Sequence, residues 1–435
     1  MSQPTTAPDP AAGADIAAPP EGAEPSARQR RDFRRFMASH VCNELGSSIT
    51  YVALPLTAVL TLHASAWEAG VLAAAENAAF LLLGLPAGAW VDRMRRRDVM
   101  IAADLARAVL LTVVPVAWLL DADSMPLLYT VALLLGCARL FGDVADQSYL
   151  PTLVGQSRLI QGNSRLESVR SGAEVAGPGV AGFFVQLLGP AGTLVGQAVT
   201  SLTSVALLGR IEAREERPAP RPSGHGGLWQ EIKEGLQHVL HHRVLRVIAL
   251  GTASVNLCLS GVFALETLFL TRTVGLPPAA VGWILTTASL GSVLAALVTR
   301  RLSMRVGAAR LTWLSLLVTM PFGLLLPLAG PGWRVGLFVM GVLVQSAGVT
   351  TYNICQVAYR QTVCPPHLLG RMTATMRFLV WGVLPLSGLL AGALGELAGV
   401  RTALWILTAG LAATPLVLLC SPLRRMRDFD AAPAQ

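Results

Sequence analysis

The chain has 435 residues, of which 53% are hydrophobic and only 14% charged, and it carries a formal net charge of +8. Soluble domains are about 25% charged, so this composition leaves too little polar surface to cover a core in water and excludes a water-soluble globular protein. The apolar residues come in runs such as Ala69–Val91 and Leu311–Gly330. A helix needs ~20 such residues to cross a bilayer, whereas a barrel strand alternates over ~10.

Residues 1–33 are rich in Ala, Pro and Gly at their start and read as a disordered cytoplasmic tail, without the apolar core of a signal peptide. Six spans follow within 34–209, at about 34–61, 68–91, 98–120, 126–148, 167–188 and 191–209. A polar linker, 210–244, holds Leu228, Trp229, Ile232, Leu236, Val239 and Leu240 at the spacing of one helix face. It is expected to lie as an amphipathic helix along the inner membrane surface. Six more spans fill 245–420, at about 245–270, 278–300, 309–330, 334–358, 371–396 and 401–420, before a second cytoplasmic tail at 421–435.

Basic residues test that count. With both termini inside, only Arg272, Arg334 and Arg401 of the 34 basic residues fall at outer loops or outer span ends. The rest cluster at inner segments, as the positive-inside rule requires. The net charge is explained by topology and anionic inner lipid, so no nucleic-acid partner is needed. The six cysteines are scattered and form no CxxC pair. They read as small helix-packing hydrophobes, and no metal site or cofactor is expected.

The halves repeat one another. Asp92-Arg93-Met94-Arg95-Arg96-Arg97 after span two is echoed by Arg300-Arg301-Leu302-Ser303-Met304-Arg305 after span eight. Leu153-Val154 and Leu159-Ile160 before span five are echoed by Thr362-Val363 and Leu368-Leu369 before span eleven. A duplicated six-span unit implies alternating access around a central site.

Gly88-Ala-Trp-Val-Asp92-Arg93-Met-Arg95-Arg96-Arg97 resembles the inner-loop motif of the major facilitator superfamily, with Arg95 where that family usually has Gly. Gly172, Gly177, Pro178, Ala181 and Gly182 resemble the fifth-span motif of its antiporters, and Arg139 stands where a family Arg is common. Asp104-Leu-Ala-Arg107, Leu150-Pro151 and Glu231-Ile-Lys-Glu-Gly235 resemble the macrolide-efflux and enterobactin-exporter branch. The resemblance covers about 34–420. It implies an all-α membrane fold of twelve helices in two pseudo-symmetric halves, and a monomeric secondary carrier in the cytoplasmic membrane. It also implies a conformational latch built from Gly88, Asp92, Arg93, Arg97, Asp104, Arg107 and Arg139.

Intramembrane acids are the chemical signal, because charge at the bilayer centre costs ~2.5–3.5 kcal/mol on the mildest scale. Glu44 lies about 15 Å into span one at helical rise; Glu76 and Glu174 are placed at comparable depth. These three are the proton-coupling candidates, Glu44 first: an acid that holds a cationic substrate when ionised can release it on protonation. Asp143 and Asp146 lie nearer the inner end of span four, and Glu266 is expected near the outer end of span seven, within reach of headgroups. Cavity candidates are Asn43, Tyr51, Asn77, Asn256, Glu266, Gln345, Tyr352, Asn353, Gln356 and Trp381, each of which can also serve as hydrogen-bond glue between helices. The expected function is proton-coupled export of a drug-like or secondary-metabolite molecule, the partners being that small molecule, protons and lipid. Uptake, siderophore export, a channel and a membrane enzyme are the alternatives. No GxxxxGK[ST] surrounds Lys233, and neither HExxH nor GxSxG occurs.

Overall fold

The computed structural model describes residues 26–91, 93–154, 159–213, 237, 241, 243–363, 376, 378–420, 424 and 426–427. Every regular element among them is helical. The first half comprises α1 (Ala27–Leu60), α2 (Ala66–Val91), α3 (Arg96–Leu119), α4 (Met125–Val154) and α5 (Leu159–Gly209). The second comprises α6 (Arg243–Leu268), α7 (Pro278–Val306), α8 (Ala308–Thr319), α9 (Val335–Val363), α10 (Leu384–Ala398) and α11 (Val400–Leu419).

Among the described residues, ten helices are long and apolar enough to cross a membrane, against twelve expected spans. Two local features account for the difference. The fifth and sixth spans run on as α5, broken at Gly189 (φ 72°) where Pro190 follows. Glycine alone adopts this backbone without cost, and proline removes the donor that would continue the ladder. The other is α1, whose apolar surface is diluted by Asn43, Glu44, Ser47, Ser48 and Thr50. It starts at Ala27, inside the stretch read as tail, because Ser26 and Gln29 form a reciprocal capping box. The linker helix expected over Leu228–Leu240 lies outside the described residues, apart from Gln237.

Helix ends are resolved by local chemistry. A π-turn, Phe269–Thr273, extends α6. A 3-10 stretch, Met320–Leu328, continues α8, where Pro321 and Pro327 lack the donors a regular helix needs. The basic exceptions are structural: Arg272 donates to Val59 O at 3.1 Å. Arg401 donates to Ala329 O at 3.1 Å and stacks 5.5 Å over the Phe269 ring.

The arrangement of the halves is written in their cores. One apolar cluster joins both halves at the Arg-poor end, running from Val52, Leu56 and Leu72 to Leu265, Phe269, Val281 and Leu404. At the Arg-rich end the clusters are separate. Phe36, Val99, Tyr149 and Leu208 belong to the first half, and Leu245, Met320, Tyr359 and Leu418 to the second. Between lipid-soaked helices, close backbone approach does much of the work of apolar burial. A Cβ on Gly70 would lie 2.4 Å from Gly388 O, and one on Gly182 would lie 2.6 Å from Pro278 O and 2.9 Å from the Gly282 Cα. The seams α2–α10 and α5–α7 thus close tightly at the Arg-poor end. Toward the other end, a Cβ on Gly84, Gly88 or Gly172 would meet nothing within 4 Å. Among the described residues, the halves share one core at the Arg-poor end and have separate cores at the other.

Candidate functional site

Just under the closed end lies a cavity of about 220 Å³ shared by both halves. Tyr51 of α1 and Glu76 and Asn77 of α2 line it from the first half; Ser260, Phe263 and Glu266 of α6 line it from the second. Helical spacing explains the shared face: Glu76 and Asn77 lie on the side of α2 one and two turns from Ala73 and Ala69, which also line the space. Tyr51 and Phe263 are 44% and 38% exposed although they sit inside the membrane portion of the fold, because their rings face this opening. Phe80 and Trp381 meet edge to face at 4.7 Å across the two halves.

The acids divide into three environments. Glu76 lines the cavity, and Gly136 of α4 packs on its backbone, where a Cβ would stand 2.4 Å from Glu76 O. Glu266 is 2% exposed, and its Oε2 meets no hydrogen-bond partner among the described residues. It is packed within the protein and does not reach the headgroups as expected; beyond it, Arg272 at the end of the π-turn donates to Val59 O of α1. Glu44 stands apart from the cavity, 3.8 Å from His40 Nε2, while His40 Nδ1 is 3.3 Å from Asp146 Oδ2. Glu174 is half-exposed and paired with Arg170 at 3.1 Å, in a more open setting than its sequence position implies.

A buried polar network fills the first half. Asp104 Oδ2 accepts from Ser204 Oγ at 2.5 Å and Asn43 Nδ2 at 3.1 Å, Asp104 Oδ1 faces Arg107 at 3.5 Å, and Ser39 and Ser204 share a hydrogen bond at 2.6 Å. Asn43 is thereby committed to α3 and α5 and does not line the cavity. Other cavity candidates are committed likewise. Tyr352 bonds Thr252 at 2.6 Å, Gln345 donates to Met320 O at 3.4 Å, Asn256 donates to Val380 O at 3.2 Å, and Gln356 donates to Asn353 at 3.4 Å.

Of the latch residues, Arg97 donates to Leu208 O at 2.9 Å and Gly209 O at 2.6 Å, closing the end of α5. Arg139 faces Asp143 at 3.7 Å, Arg93 is exposed, and Asp92 lies outside the described residues. Of the fifth-span motif, Gly177 and Gly182 pack closely, a Cβ on Gly177 standing 2.2 Å from Ser48 Cβ, and Pro178 O is the atom that Gly282 approaches, whereas Gly172 makes no such approach. His40 was missed by sequence reasoning. Its signal was the spacing to Glu44, four residues on along one helix face.

Two helical halves clasped at one end, with a cavity shared between them, are the architecture of a major facilitator transporter. The fold matches a variant of the nucleoside transporter NupG with a TM-score of 0.74 at 12% identity, covering 89% of this chain and 99% of that one. It matches a bacterial homologue of the iron transporter ferroportin with a TM-score of 0.73 at 16% identity, covering 90% and 98%. Residues 26–435 match the transmembrane secretion effector model, and the chain belongs to that family of major facilitator transporters. It is 28% identical over 397 residues to the multidrug efflux pump Tap of Mycolicibacterium fortuitum, covering 89% of this chain and 94% of Tap. The protein is a multi-pass membrane transporter and not an enzyme.

Proposed function

We propose that the protein exports a small organic molecule in exchange for protons by alternating access, with Glu76 as the coupling acid. The observation that carries this reading is Glu76 in a cavity shared by halves that close at the Arg-poor end and part at the Arg-rich end. By the positive-inside rule the Arg-rich end, with both termini, faces the cytoplasm, so the cavity is poised to load from inside. The likeness to a multidrug efflux pump supports the same direction.

Coupling follows from the cost of carrying charge through lipid. An ionised Glu76 retains a cationic or hydrogen-bonding substrate and resists closure when empty. Substrate or proton neutralises it, and either loaded form can rock; an empty ionised form cannot. The substrate leaves outward, a proton takes its place, and the return stroke delivers that proton inside. His40, Glu44 and Tyr51 follow one another along one face of α1 by helical spacing. They supply the proton's path between the cavity and the cytoplasmic mouth. One chain contains both halves of the cavity, so a monomer suffices.

The test is efflux from proteoliposomes loaded with a panel of dyes and drugs. An imposed pH gradient, acid on the side that receives the substrate, is expected to accelerate efflux of at least one panel member. Flux indifferent to the gradient for every transported compound would refute proton exchange.

A further inference from the structure

Span eleven is interrupted where it passes the cavity. Residues 378–381 are helical, Gly382 and Val383 are not, and α10 resumes the helix at Leu384. Pro385 has no N–H to offer Trp381 O, so the regular ladder does not cross the break. Toward the Arg-poor end the helix is fastened: Ser387 donates to Leu257 O of α6, and a Cβ on Gly388 would stand 2.6 Å from Gly70 O of α2. On the other side of the break, Asn256 of α6 donates to Val380 O at 3.2 Å, and the Trp381 ring meets Phe80 of the other half edge to face at 4.7 Å. Both neighbouring helices put this pair one turn from the cavity, toward the Arg-rich end. Glu76 and Asn77 of α2 and Ser260 of α6 line the cavity; Phe80 follows Glu76 by four residues, and Asn256 precedes Ser260 by four. Further along α2, a Cβ on Gly84 or Gly88 would meet nothing within 4 Å. Phe80 and Trp381 therefore stand between the open Arg-rich side and the cavity, and the larger ring rides next to the interrupted backbone. An edge-to-face pair is weak beside the glycine seam, so it parts without separating the halves.

We propose that Phe80 and Trp381 form an aromatic gate on the Arg-rich side of the cavity, which opens by bending of span eleven at Gly382–Val383 and sets the girth of the molecules that reach Glu76. This rests on the transporter reading above and adds residues that determine specificity by size. The hinge lies on the far side of the Gly70–Gly388 contact from the Arg-poor end, so the gate moves while the halves stay clasped there. Gly382 keeps the hinge compact: a Cβ there would stand 2.6 Å from Phe378 O and 3.1 Å from Leu81 Cδ1 of α2. A slender molecule passes the rings edge-on; a bulkier one waits for the bend.

N-ethylmaleimide and N-(1-pyrenyl)maleimide carry the same uncharged reactive ring and differ in girth, so they isolate the gate. Labelling of Asn77→Cys is followed in the purified full-length transporter with its six native cysteines replaced by alanine. Each rate is normalised to the reagent's rate with free cysteine. With both rings in place, the small reagent is expected to label about tenfold or more faster than the pyrenyl one. Trp381→Ala is expected to bring the two rates within about threefold, and Trp381→Phe to keep most of the difference. Should Trp381→Ala fail to fold, Phe80→Ala removes the other ring and is expected to do the same. Pro385→Ala supplies the missing N–H and is expected to slow the pyrenyl reagent further. Equal rates with both rings present, or a difference that survives both alanine variants, would overturn the gate; an unchanged pyrenyl rate in Pro385→Ala would overturn the hinge. Gradient-driven flux of wild type, measured in parallel, separates this claim from the exchange mechanism. A ring-dependent difference without flux sinks the exchange and leaves the gate; flux with equal labelling rates does the reverse.

Discussion

The first half threads charged and polar groups through its interior from Ser39 through Asn43, Asp104 and Ser204, with His40, Glu44 and Asp146 beside them. The second half is joined by neutral pairs such as Thr252–Tyr352 and Thr299–Thr351, and its one buried acid among the described residues is Glu266. Two copies of one topology have thus been given different work. The first holds a buried network of charged and polar groups; the second is packed through neutral pairs and contributes Glu266 to the shared cavity.

The seam between the halves is where the largest effect is expected. Gly182→Leu drives a side chain into the backbone of Pro278 and Gly282. Transport should fall by more than tenfold, and a cysteine placed at the Arg-poor end should become reactive to a membrane-impermeant maleimide. Normal flux from this variant would break the account of the closed end. Within the first half, Asp104→Leu leaves Arg107, itself 6% exposed, without its carboxylate. Removing one member of a buried pair costs about 3–5 kcal/mol, visible as a lower thermal midpoint in detergent. The parallel change in the second half, Tyr352→Phe, removes two neutral contacts, to Thr252 at 2.6 Å and to Ile248 O at 3.4 Å, worth about 1 kcal/mol each at most, and should leave transport intact. Comparable destabilisation by the two would erase the contrast between halves. The smallest effect belongs to Glu174→Gln. Its pair with Arg170 is exposed at 56% and 55%, so stability should change by under about 1 kcal/mol and flux not at all. A large transport defect would restore Glu174 as a coupling acid.

The fold was legible because membrane helices announce themselves. Apolar runs marked the spans, and arginine clusters marked one end. The break that splits α5 at Gly189 falls between the fifth and sixth expected spans, 167–188 and 191–209. The site was only partly legible. Tyr51, Glu76, Asn77 and Glu266 line the cavity, but Tyr352, Gln345 and Asn256 carry the same sequence signal and spend it on helix-to-helix bonds. In lipid, glue and binding groups are the same residue types, and only the neighbour a side chain faces separates them. Glu266 lies toward the outer end as its position implies, but a sequence count cannot show that its side chain is buried against the other half instead of reaching headgroups. His40 escaped because a lone histidine near a basic cluster looks like part of the topology signal, and its second partner, Asp146, comes from a helix over a hundred residues away.

The central claim is that Glu76 carries the exchanged proton. Its most direct test is to follow substrate and proton movement together in proteoliposomes, for wild type and Glu76→Gln. The account predicts that wild type moves protons against substrate. The variant should exchange substrate only downhill, with weaker binding and no accompanying proton flux. Substrate-coupled proton movement undiminished in Glu76→Gln would contradict it and return the role to Glu44 and His40.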